Sequence, residues 1–387
     1  MKILIIAPYF PPYPSVATLR INSLTNYLLN KNYQITLITN KISTSSQQRD
    51  YHKNLKIIEV EINDKVSFTK NYYKNLKKYK RSIDLLLSKE EYHICILTMG
   101  PFYTLSLCRY LKKKYMLDSI LDFRDLFVFE KLYKKDKPKL LQKISKIIFY
   151  PIEKAAIKNA YKVITVTEGW AKRLQFFYPC YRDKILVIEN GYDDVRLDKI
   201  QFNLKEKKNK IIIGNYGKLS YYSKKYAEEL IKSLKTLNKE VSLLHVGDEE
   251  LFINEKIEKY GVDKDSYHCT GFCDYEKGML ELNQSDILIV VDIRKQALGT
   301  KIYDYIYLNK PIIYIGPKKT TLSNLINSFE YGFTAKDEKE IIAVIQYIKK
   351  NNIQKLCSTN KLDSYARSEK NYKFLNIIES YLKKVGE

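Results

Sequence analysis

Lys2-Ile3-Leu4-Ile5-Ile6-Ala7-Pro8-Tyr9-Phe10-Pro11-Pro12-Tyr13-Pro14-Ser15 stands near the start of the chain, and Lys31-Asn32-Tyr33-Gln34-Ile35-Thr36-Leu37 follows after a stretch bearing Leu19, Leu24 and Leu28. The apolar run Ile3 to Ala7 is far too short to span a bilayer, which takes about 20 apolar residues, and it meets a loop of prolines, so it reads as a buried strand. The leucines predict a helix with Ser15 as its N-cap. Asn32 tolerates the left-handed conformation that ends helices, so the next strand begins at once. Strand, helix and strand in this order make a parallel pair with a crossover.

The same alternation continues along the 387 residues. Further strands are expected at Lys56 to Val60, His93 to Thr98, Ser119 to Asp122, Lys162 to Val166 and Lys184 to Ile188, beside Lys2 to Ala7 and Gln34 to Thr39. A second set falls at Lys210 to Asn215, Val241 to Val246, Tyr267 to Thr270, Asp286 to Val291 and Pro311 to Ile315. Leu197 to Lys210 is polar and lacks apolar periodicity, which marks it as the connection between two parallel-sheet domains. The expected division is a first domain over 1–200, a linker over 201–209, a second domain over 210–362 and a C-terminal helix over 363–387 that packs back on the first. A length of this order suits two cores.

Hydrophobic residues make up 45% of the chain and charged residues 29%, a globular balance. Six cysteines lie without zinc or redox spacing and are expected to be reduced. No signal peptide or membrane-spanning stretch is read, so a cytoplasmic protein is expected. The net charge is +23, and between Lys65 and Ala160 there are 22 Lys and Arg against nine Asp and Glu. That concentration points to an acidic partner. No zinc finger, RNA-binding aromatic signature or recognition helix accompanies it, so nucleic acid is excluded in favour of an anionic membrane surface or a phosphate-bearing acceptor. From Phe127 to Lys158 aliphatic residues interleave with nine lysines. This is either a basic amphipathic segment for the inner face of the cytoplasmic membrane or a crossover helix with a solvated lysine face.

In parallel sheets ligands bind beyond the carboxyl ends of the strands, so the loops there carry the candidate residues. Gly217 follows a strand, where the lack of a Cβ lets a diphosphate approach the backbone, and Lys218 adds a cation. The alternative is a plain glycine turn beside a solvated lysine. Thr300 and Lys301 open a helix whose free amides and Thr hydroxyl can hold a phosphate. Phe272, after a short strand, packs either on a ligand or in the core. Asp122, Arg124 and Asp125 cluster at a strand end, where Arg124 can neutralise a phosphate and Asp125 can orient or deprotonate a hydroxyl. A structural Arg-Asp ion pair is the competing reading.

The opening βαβ pattern with Arg20 in its first helix resembles glycosyltransferase family 4, as do Leu121-Asp122-Phe123-Arg124-Asp125, Ile188-Glu189-Asn190-Gly191, Asn215-Tyr216-Gly217-Lys218-Leu219, His245-Val246-Gly247-Asp248 and Leu298-Gly299-Thr300-Lys301-Ile302-Tyr303-Asp304. These segments fall in the family's order over about Met1 to Gly332. The resemblance implies an α/β GT-B fold, two Rossmann-like domains facing across a cleft. It implies metal-independent retaining transfer of a hexosyl or N-acetylhexosaminyl group, without cofactor, from a nucleotide diphosphate sugar (UDP-sugar favoured) to a lipid-linked or growing bacterial surface glycan. The second phosphate lysine of the family falls on Lys224 or Lys225. Asp304 takes the place of the second acid of the family's acid, seven residues, acid motif, a ribose-hydroxyl acceptor, although it can equally be a first-turn acid favoured by the helix dipole. The first acid falls on Gln296, an amide that offers hydrogen bonds but no negative charge. Ser15, Arg20 and Asp122 fall on the acceptor side. A nucleotide-sugar epimerase of the same fold, or a catalytically weak GT-B partner subunit, remains as the alternative.

Overall fold

The computed structural model describes the chain apart from residues 14–15, 42–51, 63–67, 129–139, 203–209, 359 and 387. It divides into two compact units, Met1–Asn190 with Arg367–Glu387, and Gly191–Ala366. The change of unit thus falls between Asn190 and Gly191, ahead of the 201–209 stretch read as the linker. The helix Arg367–Gly386 belongs to the first unit.

The first unit holds seven strands: β1 Lys2–Ile6, β2 Gln34–Asn40, β3 Leu55–Val60, β4 Ile94–Thr98, β5 Ser119–Phe123, β6 Lys162–Thr165 and β7 Ile185–Val187. Their order is β3-β2-β1-β4-β5-β6-β7, and every pairing is parallel. β1, β4 and β5 are buried along almost their whole length, as strands must be when helices cover both faces of a parallel sheet. On one face the helix Leu19–Asn30 and the C-terminal helix Arg367–Gly386 enclose Ile3, Ile5, Leu24, Leu28, Phe374 and Ile378. The first helix runs on from a 3₁₀ turn at Val16–Thr18, and Asn32 adopts φ +63° after it, the left-handed exit expected. Of the expected basic stretch Phe127 to Lys158, residues 129–139 lie outside the described ones, and a helix covers Leu140–Asn159. Among the described residues no helix is long and apolar enough to cross a membrane.

The second unit holds β8 Ile211–Tyr216, β9 Val241–Val246, β10 Tyr267–Cys269, β11 Ile287–Val291, β12 Ile312–Ile315 and β13 Gly332–Ala335. Their order, β10-β9-β8-β11-β12-β13, is parallel throughout and reproduces the 3-2-1-4-5-6 order of a dinucleotide-type sheet. Alternation along single strands sorts its residues into two cores. Ile212, Leu288 and Val290 pack on one face with Ile302 and Ile306. Ile213, Ile287 and Ile289 pack on the other with Leu230, Leu234 and Ile345. All twelve expected strands are present. The thirteenth, β13, is an edge strand of four residues, Gly-Phe-Thr-Ala, too short to announce itself by period.

Candidate active site

At the carboxyl edge of the second sheet, two glycine turns meet. Gly217, after β8, has φ +69°, and Gly247, after β9, has φ +149°. A Cβ on Gly247 would lie 3.2 Å from the Gly217 Cα, so the approach of the two turns requires glycine at 247. The Gly217 N–H donates to the Val246 carbonyl at 2.7 Å. Its carbonyl accepts from Asn215 Nδ2 at 2.6 Å and from His245 Nε2 at 3.0 Å. Since that carbonyl can only accept, His245 carries its proton on Nε2, and Nδ1 accepts the Tyr267 hydroxyl at 3.0 Å. Burial holds the His245 pKa below the ordinary imidazole range, opposed by the bond to Gly217 and by Glu250, so the ring is neutral at pH 7.

Glu250 fixes the rest of this turn. Its carboxylate accepts from the Leu219 N–H, the Ser220 N–H (3.0 Å) and the Ser220 hydroxyl. The amides of Gly217, Leu219 and Ser220 are therefore engaged inside the protein, and an anion here would depend on the neighbouring cation and helix start. That cation is Lys301, the first residue of the helix Lys301–Leu308. Its Nζ donates to Asn215 Oδ1 at 3.2 Å and to the Tyr216 carbonyl at 3.1 Å. Burial pushes its pKa down to about 8, while Asp292 and Glu250 pull the other way. Thr300 stands at the N-cap position without a side-chain capping bond. One turn on, Asp304 accepts the Tyr275 hydroxyl at 2.7 Å.

The other expected residues of this unit are placed differently. Lys218 is exposed, its Nζ 5.9 Å from the Tyr221 ring, and Lys224 lies 5.1 Å over Phe252. Phe272 is 84% exposed beside Gly271, which rules out the core alternative. Gln296 is half-buried in the loop after β11. Two residues before it, Arg294 grips the buried Asp292 through Nε (3.1 Å) and Nη2 (2.7 Å) and lies 3.9 Å over the Tyr222 ring. His245, Glu250, Asp292 and Arg294 were not singled out from sequence as site residues. Asp292 could have been found by the rule that found Asp122, an acid at the end of an apolar strand.

In the first unit, Asp122 at the end of β5 is buried and receives Arg20 Nε on both oxygens, at 3.2 and 3.1 Å. Arg20 Nη1 donates to the Glu189 carbonyl at 2.8 Å, and the Glu189 carboxylate pairs with Lys370 at 3.1 Å. An Arg-Asp pair does form at this strand end, but Asp122 takes its arginine from the first helix, Arg20, and not the expected Arg124. Arg124 turns to main chain, donating to the carbonyls of Ala17, Met99 (3.2 Å) and Gly100 (3.3 Å). Burial lowers its pKa, with Asp122 and Asp125 opposing. Asp125 is exposed. Ser15 lies outside the described residues.

Residues 18–196 match the family model described as Glycosyltransferase Family 4. Over this stretch, nearly all of it in the first unit, the chain is similar to glycosyltransferase family 4. No curated protein matches the chain in sequence. Among solved structures it is similar to a sucrose-phosphate synthase from Thermosynechococcus elongatus, at 13% identity and TM-score 0.73, covering 99% of this chain and 100% of that one. It is similar also to a glycosyltransferase from Rickettsia africae, at 19% identity and TM-score 0.72, covering 99% and 98%. A third is HepE from Anabaena, solved with UDP and glucose, at 14% identity and TM-score 0.66, covering 98% and 100%. At such identities the likeness is one of fold, and that fold is GT-B, with two parallel sheets of seven and six strands.

Proposed function

We propose that the protein is a glycosyltransferase that moves a sugar, with retention of configuration, from a nucleotide diphosphate donor to a hydroxyl of a lipid-linked or growing surface glycan. The observation that carries the donor assignment is the half-buried Lys301 ammonium at the first turn of its helix, 3.1 Å from the Tyr216 carbonyl and next to the pinned Gly217 turn. A cation and a helix start at the carboxyl edge of a parallel sheet suit a diphosphate. In this reading Lys301 and Thr300 hold the diphosphate, the Gly217 turn lets it come close without a side chain in the way, and Lys218 and Lys224 add outer positive charge. Asp304 takes a ribose hydroxyl, the exposed Phe272 covers the base, and Gln296 faces the sugar. Arg20, Asp122, Arg124, Asp125 and Ser15 serve the acceptor. The donor is a UDP-sugar, the leaving diphosphate assists the acceptor, and neither metal nor cofactor takes part.

The acceptor half of the proposal places the protein at the inner face of the cytoplasmic membrane, supported by the excess of Lys and Arg between Lys65 and Ala160. A thermal-shift panel of UDP, GDP, dTDP and CMP tests the donor half, since a ligand at 100 times its dissociation constant adds about 2.7 kcal/mol of stability. UDP should raise the midpoint most, and Lys301→Ala should reduce the shift. A chain stabilised by none of the four, or a Lys301→Ala variant stabilised as strongly as the parent, would count against the assignment.

A further inference from the structure

In the first unit a groove of about 690 Å³ runs along the outer face of the helix Leu105–Tyr115, between the helices Phe68–Leu87 and Leu140–Asn159. Its apolar lining is Leu76, Leu105, Pro151, Ile152 and Ala155. Four cations also line it: Lys80, Arg109, Lys113 and Lys114. Arg109 and Lys113, one turn apart and both exposed, make no ion pair among the described residues. Lys80 lies 4.7 Å and Lys114 5.3 Å over the Tyr110 ring, which places two positive charges around one aromatic side chain. The nearby carboxylate, Asp84, is already met by Lys114 at 3.0 Å and by the hydroxyls of Tyr110 and Tyr115. The groove therefore keeps an excess of positive charge beside an apolar floor.

We infer that this groove binds an anionic membrane lipid, its phosphate between Arg109 and Lys113 and the first part of its chain along Pro151, Ile152 and Ala155. The volume lies within the 300 to 1,000 Å³ usual for pockets that enclose one small ligand. The chemistry asks for both features at once. A free phosphate would leave the apolar floor wet, and a neutral lipid would leave two exposed cations without a counterion. The inference deepens the peripheral-membrane part of the proposed function and rests on it. It names residues different from the lysines of Phe127 to Lys158, so the two can fail separately.

The test uses the full chain and flotation with phosphatidylcholine vesicles, with or without phosphatidylglycerol. Binding should require the anionic lipid. Arg109→Glu with Lys113→Glu should weaken partitioning by at least about 25-fold, since each cation near an anionic surface is worth about a factor of five. Ala155→Phe, which fills the floor and changes no charge, should weaken decyl phosphate binding by at least about fivefold, and inorganic phosphate should not compete at equal concentration. UDP-induced stabilisation, measured on the same variants, should stay as in the parent and shows that the fold and the second unit are intact. Flotation of the Arg109→Glu, Lys113→Glu chain within twofold of the parent overturns the groove assignment. If a Lys139→Glu, Lys143→Glu, Lys146→Glu chain then fails to float, the membrane reading survives without the groove. Equal flotation on neutral vesicles overturns both, and so does retention on soluble polyglutamate with no flotation, which would mark an acidic protein as the occupant.

Discussion

Lys301 and Tyr216 are joined by a hydrogen bond of 3.1 Å from the ammonium of one to the carbonyl of the other, linking the first turn of a helix to the last residue of β8. Burial has lowered the Lys301 pKa from 10.5 to about 8. The folded state therefore binds this proton less tightly than the unfolded chain. The stability penalty is fully present below pH 8 and is relieved as pH rises from about 8 towards 10.5.

A diphosphate prefers the ammonium form, so donor affinity should move the opposite way. Between pH 7.5 and 9.5 the affinity for UDP is expected to fall, approaching at most about tenfold per pH unit above pH 8. Lys301→Arg keeps its charge throughout and should flatten the profile. Calorimetric titration across this range decides it: a UDP affinity as pH-dependent in Lys301→Arg as in the parent would assign the titration to another group.

Glu250 gathers three donors from Leu219 and Ser220, so Glu250→Ala leaves them without their acceptor beside His245. The expected cost is about 1 to 3 kcal/mol of stability by urea unfolding. UDP affinity should drop as well, because the Gly217 turn loses its brace. Glu250→Gln, which keeps one acceptor oxygen, should fall between the two in both measurements. His245 adds a pH signature. Its folded pKa is depressed, so the stability of the neutral ring is present above about pH 6.5 and is lost as pH falls below it. His245→Gln should remove that part of the acid sensitivity.

What the sequence disclosed about this molecule followed from local physics. β8 and β11 are apolar runs whose alternate residues fill opposite cores, and Asn32 marks its helix exit by being one of the few residues at ease with positive φ. Long-range pairings were out of reach. Nothing near Arg20 signals that its partner is Asp122, 102 positions away, because that contact arises from strand order and not from spacing. Glu250 reads as an ordinary surface acid until the sheet brings the loops after β8 and β9 side by side. Arg124 shows the converse error of proximity: it neighbours two acids in sequence, yet it donates hydrogen bonds to the main-chain carbonyls of Ala17, Met99 and Gly100.

Gln296 and Asp304 should separate by kinetic signature. Asp304→Asn, which weakens the acceptor of the Tyr275 hydroxyl, is expected to raise the donor KM with a smaller effect on kcat. Gln296→Ala should lower kcat more than it raises KM, the pattern of a contact made in the transition state. Gln296→Glu separates the enzyme from a weak partner subunit. A gain in transfer would mean that the position has drifted from an acidic role, while no transfer by parent or variant, with any of the four nucleotide-sugar classes, would favour the partner-subunit reading.

The Arg20 and Asp122 pair offers a test of structure against acceptor chemistry in the first unit. Asp122 keeps 2% of its side chain exposed and Arg20 11%, so each charge depends on the other. Removing one partner strands a buried ion, which typically costs about 3 to 5 kcal/mol, whereas replacing both with apolar residues of similar volume often costs little. Asp122→Ala should therefore be strongly destabilising by urea unfolding, and Arg20→Met with Asp122→Leu should recover most of the loss. Arg20 complicates a full recovery, because its Nη1 also holds the Glu189 carbonyl. The double variant should consequently remain about 1 kcal/mol below the parent, the net worth of one ordinary hydrogen bond. Transfer activity then reads out the second role. If the stable double variant transfers sugar at the parent rate, the pair is structural and the acceptor is held elsewhere. If it is stable, binds UDP as the parent does and no longer transfers, the pair serves the acceptor.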